Sequence, residues 1–217
     1  MCRYMNDIRA ILFDVDGTLL DTREYIFQAF EHALSAHGYT AFTREDITRV
    51  IGMPLKDCYR ALIGEDNALI ERLAALHHAF QLEHSDLSAP FAHVPETLSL
   101  LNENGFKLGA VTNRRSQTTL KTLSEAGLTP FFGAIVCLDQ VEKPKPDPMH
   151  LLKALTMLNE APNHTAMVGD SSVDIEAGKN TGTKTVFARY GFHYTLPKGL
   201  VPDATIDDIR DILTLIG

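Results

Sequence analysis

The chain has 217 residues, 45% of them hydrophobic and 22% charged, an ordinary globular composition that allows one large domain or one domain plus a small insert. Its net charge of −8 argues against non-specific binding to nucleic acid or to an anionic membrane, but not against a small anionic substrate, because a metal ion can reverse the field locally. Cys2, Cys58 and Cys137 are far apart and odd in number, so neither a disulfide framework nor structural zinc is expected. No basic segment leads into an apolar stretch at the N-terminus, and no apolar run approaches the ~18 residues that span a bilayer; a cytoplasmic setting is the simplest.

In chain order, Ile8 to Phe13 is a short apolar run ending at Asp14, a buried strand that delivers a polar loop. From about 22 to 91 the periodicity is helical. Tyr25, Ala29, Phe30, Ala33 and Leu34 share one helical face, as do Leu69, Leu73, Leu76 and Phe80, and Thr43 with Asp46 marks a helix start. From about 92 onward strand and helix alternate. Strands are predicted at Leu108–Val111, Ile135–Leu138, Ala166–Val168 and Thr185–Ala188, and helices at Gln117–Ala126, Met149–Leu158 and Val173–Asn180. That alternation predicts an α/β fold with a parallel sheet wrapped by helices.

Such sheets bind ligands at the carboxyl ends of their strands. The first strand leads into Asp14, Asp16, Gly17 and Thr18, and the second into Thr112 and Asn113. The third leads, past a short loop, to Lys143, and the fourth to Gly169, Asp170 and Asp174. Asp14 and Asp16 lie two apart on an extended strand and share a face, and adjacent carboxylates call for a cation or a shared proton. A third acid at Asp170, with no thiolate or imidazole cluster, suits magnesium. Thr18, Thr112 and Asn113 can hydrogen-bond phosphate oxygens, and Lys143 supplies a compact positive charge. Asp14 as nucleophile and Asp16 as general acid and base would carry out two-step phosphoryl transfer. Arg114 and Arg115 follow Asn113 closely, and a solvated helix start is favoured over the alternative that one of them steers an anionic substrate. His77 and His78, being adjacent, face different directions and read as surface or cap residues.

These residues carry a resemblance. D-V-D-G-T-L-L-D-T (Asp14–Thr22), V-T-N (Val111–Asn113), E-K-P-K-P-D-P (Glu142–Pro148) and V-G-D-S-S-V-D-I-E-A-G (Val168–Gly178) together resemble the haloacid dehalogenase superfamily, in its phosphoglycolate phosphatase-like branch. The resemblance implies a Rossmann-like core at 1–21 and 92–217, with an all-helical cap domain at 22–91 inserted after the first strand. It implies magnesium held by Asp14, the backbone carbonyl of Asp16 and Asp170, with Asp174 a further ligand or a support for the others. In the lysine motif the K-P-x-P pattern selects Lys143 over Lys145. Aspartate rather than threonine at position 16 resembles the phosphatases and mutases of the superfamily.

The cap loop Ile51–Asp57 (I-G-M-P-L-K-D) resembles the one that faces the active site in this group, which makes Gly52, Met53 and Lys56 candidate substrate neighbours. The implied activity is hydrolysis of a small phosphorylated metabolite, phosphoglycolate-like, by a monomer or homodimer. The alternatives are a pyrophosphatase and a sugar phosphomutase; Leu55 stands where such a mutase carries an arginine. A non-catalytic protein of this fold would have lost a core group, and Asp14, Asp16, Lys143 and Asp170 are all present.

Overall fold

The computed structural model describes residue 5 and residues 7–216; Cys2 lies outside these residues. The chain opens with β1 (Ala10–Phe13), β2 (Leu20–Asp21) and four helices, α1 (Arg23–Ser35), α2 (Arg44–Thr48), α3 (Leu55–Ile63) and α4 (Asn67–Glu83). Then come β3 (Ala89–Pro90), α5 (Val94–Glu103), β4 (Lys107–Val111), α6 (Ser116–Glu125), β5 (Ala134–Val136) and α7 (Met149–Leu158). The last stretch is β6 (Thr165–Gly169), α8 (Ser172–Thr181), β7 (Lys184–Ala188), β8 (Ala204–Ile206) and α9 (Asp211–Ile216).

Six strands form one wholly parallel sheet in the order β5-β4-β1-β6-β7-β8. All four side chains of β1 are fully buried, as a strand covered on both faces requires. Its alternation divides the core. Ile11 and Phe13 join Leu98, Leu101, Leu123 and Ile212 on one face, while Ala10 and Leu12 join Leu151, Leu155 and Ala177 on the other. The strand order reverses between β1 and β6, and that reversal opens the crevice in which sheets of this kind bind ligands. The expected Rossmann-like α/β architecture is therefore the observed one.

The helices α1–α4 have an apolar core of their own, built on Tyr25, Phe30, Leu34, Ile47, Tyr59, Ile70 and Leu73. The chain enters and leaves this unit through the antiparallel pair β2–β3. The face expected on α1 is buried, and Thr43 and Asp46 form the reciprocal cap of α2. On α4 the buried line is Ile70, Leu73, His77 and Gln81, rotated from the predicted stripe. His77 is thus a core residue rather than a surface one. Its Nδ1 lies 3.0 Å from the Tyr59 hydroxyl and Phe30 packs edge-on against its ring; burial, with His78 beside it, pushes its pKa down to about 3. No helix among the described residues is long and apolar enough to cross a membrane.

Candidate active site

At the end of β1 the Asp14 N–H still donates to Val168 of β6, at 2.9 Å, and the chain then turns sharply. Gly17 sits at φ +80°, and a Cβ there would lie 2.3 Å from Asp170 Oδ2 and 2.4 Å from Phe192, so only glycine fits. Beyond it the N–H groups of Thr18, Leu19 and Leu20 all converge on the Val15 carbonyl. That folding-back places Thr18 in full burial, its carbonyl accepting from the Tyr190 hydroxyl at 3.0 Å. Thr18 is not among the residues lining the cavity above the crevice. The structure thus places Thr18, which the sequence suggested as a phosphate contact, outside the cavity lining.

Asp14, Asp170 and Asp174 come together at the crevice, all buried, with one oxygen of each within 4.8 Å of the others. The strands β1 and β6 deliver the first two, and α8 delivers the third from its opening turn. There Ser171 and Asp174 cap each other: the Ser171 N–H donates to Asp174 Oδ2 at 3.1 Å, and its hydroxyl donates to the same oxygen. Asp170 Oδ2 accepts the Phe192 N–H at 2.6 Å.

The lysine that reaches this cluster is Lys145, which corrects the expectation of Lys143. Lys143 is 70% exposed and only approaches Asp147 at 3.9 Å. The Lys145 side chain is 1% exposed, and its ammonium donates to Asp14 Oδ1 (2.8 Å), Asp174 Oδ1 (2.6 Å) and the Val111 carbonyl (2.9 Å). All three of its protons are used. Asn113 sets this orientation. Its Oδ1 accepts the Lys145 N–H at 2.9 Å while its Nδ2 donates to the Lys145 carbonyl at 3.0 Å. The Asn113 amide is thereby spent on backbone, so its side chain is a clamp rather than the expected phosphate ligand. Thr112 does line the cavity, and its hydroxyl accepts the Arg114 N–H at 3.1 Å, leaving its own proton to donate.

Three acids against one lysine leave excess negative charge in a buried place. Burial, the Asp174 charge and the Asp16 charge, against the opposing pull of Lys145, push the Asp14 carboxyl up to about 7. Burial, Asp174 and Asp14 hold the Asp170 carboxyl well above the usual carboxylate range. Burial alone would lower the Lys145 ammonium, but Asp14 and Asp174 outweigh it and hold it above its ordinary value. Hard oxygen donors with uncompensated charge are what a magnesium ion requires, and the donor set fits one.

Asp16 lies on the wall, its Oδ1 accepting from Arg114 Nη1 at 2.6 Å. Above it α1–α4 close a cavity of about 550 Å³, lined by Asp14, Asp16, Thr112, Lys145 and Asp170 below and by Ile51–Arg60 and Ala74–Gln81 residues above. The cap loop is fastened to the core. The Gly52 carbonyl accepts from Asn113 Nδ2 at 2.9 Å, and a Cβ on Gly52 (φ +103°) would lie 3.4 Å from Ser171 Oγ. Lys56 lines the cavity but is exposed and pairs with Glu71 at 2.5 Å. Lys145, Arg114 and Ser171 are the site residues the sequence reading missed. For Lys145 the signal was there, because K-P-x-P occurs twice in register, as K-P-K-P and as K-P-D-P.

A three-layer α/β fold with a carboxylate nucleophile candidate, a buried lysine and a cluster of acids at the switch point, beneath a helical cover, defines the class: a hydrolase. The chain belongs to the haloacid dehalogenase-like hydrolases, whose family pattern matches residues 11–188. It is similar to pyrophosphatase PpaX of Anoxybacillus flavithermus, 38% identical over 97% of this chain and 98% of that one. PpaX of Halalkalibacterium halodurans is likewise 38% identical over the same shares. Among solved structures it resembles a haloacid dehalogenase-like hydrolase from Bacteroides fragilis, with TM-score 0.89 and 26% identity over 94% of this chain and 99% of that one. It also shares the fold of a predicted phosphoglycolate phosphatase from Haemophilus somnus, with TM-score 0.86 and 24% identity over 96% and 97%.

Proposed function

We propose that this hydrolase is a magnesium-dependent phosphatase that releases phosphate from a small phosphorylated metabolite through an aspartyl-phosphate on Asp14. The observation that carries this reading is the Asp14–Lys145–Asp174 contact at the floor of a covered cavity, with Asp170 beside it. Lys145 engages only Oδ1 of Asp14, so the second oxygen is the one to attack phosphorus. The bond from phosphorus to the leaving oxygen breaks as the bond to Asp14 forms, and Asp16 gives the leaving oxygen its proton. Asp16 then takes a proton from water, which attacks the same phosphorus and frees Asp14. Lys145 and the Thr112 hydroxyl face the charge that spreads over the phosphoryl oxygens. Magnesium, held by Asp14, the Asp16 carbonyl and Asp170, with Asp174 supporting them, would add positive charge to that phosphoryl group. The helices over the cavity would exclude water, with the residues either side of the β2–β3 pair as domain boundary.

A phosphomonoester of the phosphoglycolate type is the first reading. Pyrophosphate is the second, favoured by the relatives that are 38% identical. Leu55 lines the cavity where a phosphomutase would present an arginine. A cytoplasmic enzyme fits the free, buried thiols of Cys58 and Cys137. Phosphate release with magnesium is the test, measured on phosphoglycolate, pyrophosphate, hexose phosphates and nucleotides with Asp14→Asn as control. Release that survives Asp14→Asn sinks the mechanism, and isomerisation of a hexose phosphate without release installs the mutase.

A further inference from the structure

Arg114 is the most heavily engaged charged side chain at the cavity wall. Its Nη1 donates to Asp16 Oδ1 at 2.6 Å, and the pair is nearly enclosed, with side chains 9% and 14% exposed. The rest of the guanidinium is fixed independently. Nε donates to the Thr119 hydroxyl at 3.2 Å, and Nη2 donates to the Thr118 carbonyl at 3.3 Å and to the Thr122 hydroxyl. The Tyr25 ring of α1 covers it, 5.5 Å from Arg114 Cζ, and the Tyr25 hydroxyl is tied to the Gln81 carbonyl of α4 at 3.0 Å. The fork is thus held by one turn of α6 on one side and by the cap on the other, leaving Nη1 to aim at Asp16. A guanidinium so anchored fixes a carboxylate in both distance and direction, which an ammonium on a flexible stem does less well.

We infer that Arg114 is a positioning residue: it holds Asp16 by Oδ1 so that Oδ2 faces the oxygen leaving Asp14-bound phosphorus. This rests on the phosphatase reading above. An exposed helix-start arginine, the expectation from sequence, would make none of these contacts. The role differs from substrate steering, because the guanidinium is already committed to protein oxygens.

The consequence depends on the leaving group. An alkoxide must receive a proton as its bond to phosphorus breaks, whereas p-nitrophenolate leaves without one. In the first step, read by kcat/KM, a misplaced Asp16 therefore slows alkyl phosphates and spares the aryl ester, whereas hydrolysis of the aspartyl-phosphate is common to both and slows equally. The experiment compares Arg114→Ala, Arg114→Lys, Asp16→Asn and the Arg114→Ala/Asp16→Asn double variant on phosphoglycolate and p-nitrophenyl phosphate, with folding checked by circular dichroism. General acid catalysis contributes about 10²–10⁴-fold. Arg114→Ala should lose at least about 10-fold of kcat/KM on phosphoglycolate and much less on the aryl ester, while kcat, which also contains the shared hydrolysis step, should fall on both. Arg114→Lys should recover part of the loss. The double variant should be no slower than Asp16→Asn alone, since both act through one group.

Equal losses of kcat/KM on both esters, a loss confined to KM, or multiplicative losses in the double variant would overturn the assignment. Failure of the underlying reading is separable, for it would show as turnover surviving in Asp14→Asn. A loss of kcat/KM in Asp16→Asn that ignored the leaving group would remove Arg114's role along with that of Asp16.

Discussion

Lys145→Met against Lys143→Ala is the sharpest test of the site. Among the described residues Lys145 is the one cation in contact with Asp14 and Asp174, at 2.8 and 2.6 Å, with its side chain 1% exposed. Methionine keeps the length of the side chain and deletes its charge, leaving carboxylates buried and unpaired. Breaking one partner out of a buried ion pair costs about 3–5 kcal/mol. For a chain of this length each kcal/mol moves Tm by roughly 2–4 °C, so a fall of roughly 6–20 °C is expected. Magnesium, which meets one positive charge fewer in its way, should restore more of that loss in the variant than it adds to the parent. Loss of a charge facing the phosphoryl oxygens should cost about 10²–10³-fold in kcat. Lys143, 70% exposed beside Asp147 at 3.9 Å, should give within ~1 kcal/mol of parent stability and parent turnover. Thermal unfolding with and without magnesium, together with phosphate release, reads all of this. Turnover kept in Lys145→Met and lost in Lys143→Ala would refute the placement.

Metal removal has a signed pH dependence. In the stripped protein the Asp14 carboxyl is raised to about 7 and Asp170 is raised as well. The folded state thus binds protons more readily than the unfolded one, and stability should fall as pH rises through 7; magnesium should flatten that limb, and an unchanged slope would exclude these acids as its site. The buried histidines act with the opposite sign. His150, its ring fully buried with neither nitrogen partnered among the described residues, is pushed down to about 3 by burial and by Lys145. Between the unfolded value near 6.5 and 3 only the unfolded chain takes that proton, so stability drops as pH falls, by up to about 1.4 kcal/mol per unit. His150→Leu should flatten the acid limb and raise Tm more at pH 5 than at pH 8, as calorimetry would show.

Much of the fold was legible because its signals are local. Apolar runs marked β1, β4, β6 and β7, and the polar residue after each strand pointed to the crevice. What was not legible has particular causes. β8 is three residues long and α9 six, too short for a periodic pattern. α5 opens on His93 in a left-handed conformation with proline in its first turn, which reads as a loop start. The stripe on α4 was displaced because His77 and Gln81, polar by type, are buried in place of Leu76 and Phe80. At the site, motif spacing found Asp14, Asp16, Thr112, Asp170 and Asp174, but which lysine turned inward depended on Asn113, 32 residues away. Arg114 was misjudged for the same reason: its partner Asp16 is 98 residues distant.

The Asn113 amide joins two events that the sequence keeps far apart. One Nδ2 proton goes to the Lys145 carbonyl at 3.0 Å and the other to the Gly52 carbonyl of the cap loop at 2.9 Å, while Oδ1 takes the Lys145 N–H at 2.9 Å. When the cap loop is away, one donor is left without its partner, so cap docking and the register of Lys145 bear on the same group. Asn113→Asp keeps the shape, deletes both donors and sets an acceptor against two carbonyls. Each buried group left unsatisfied costs about 1–3 kcal/mol. Hydrogen exchange should therefore rise at Ile51–Asp57 while kcat falls in the same variant. Gly52→Ala, which strains the cap loop at its φ of +103° while its Cβ makes only ordinary contact with Ser171, should raise exchange in that loop with a smaller effect on kcat once substrate saturates. If Asn113→Asp loosened the loop and left kcat untouched, the lysine would be placed by its own ion pairs, and the amide would serve the cap alone.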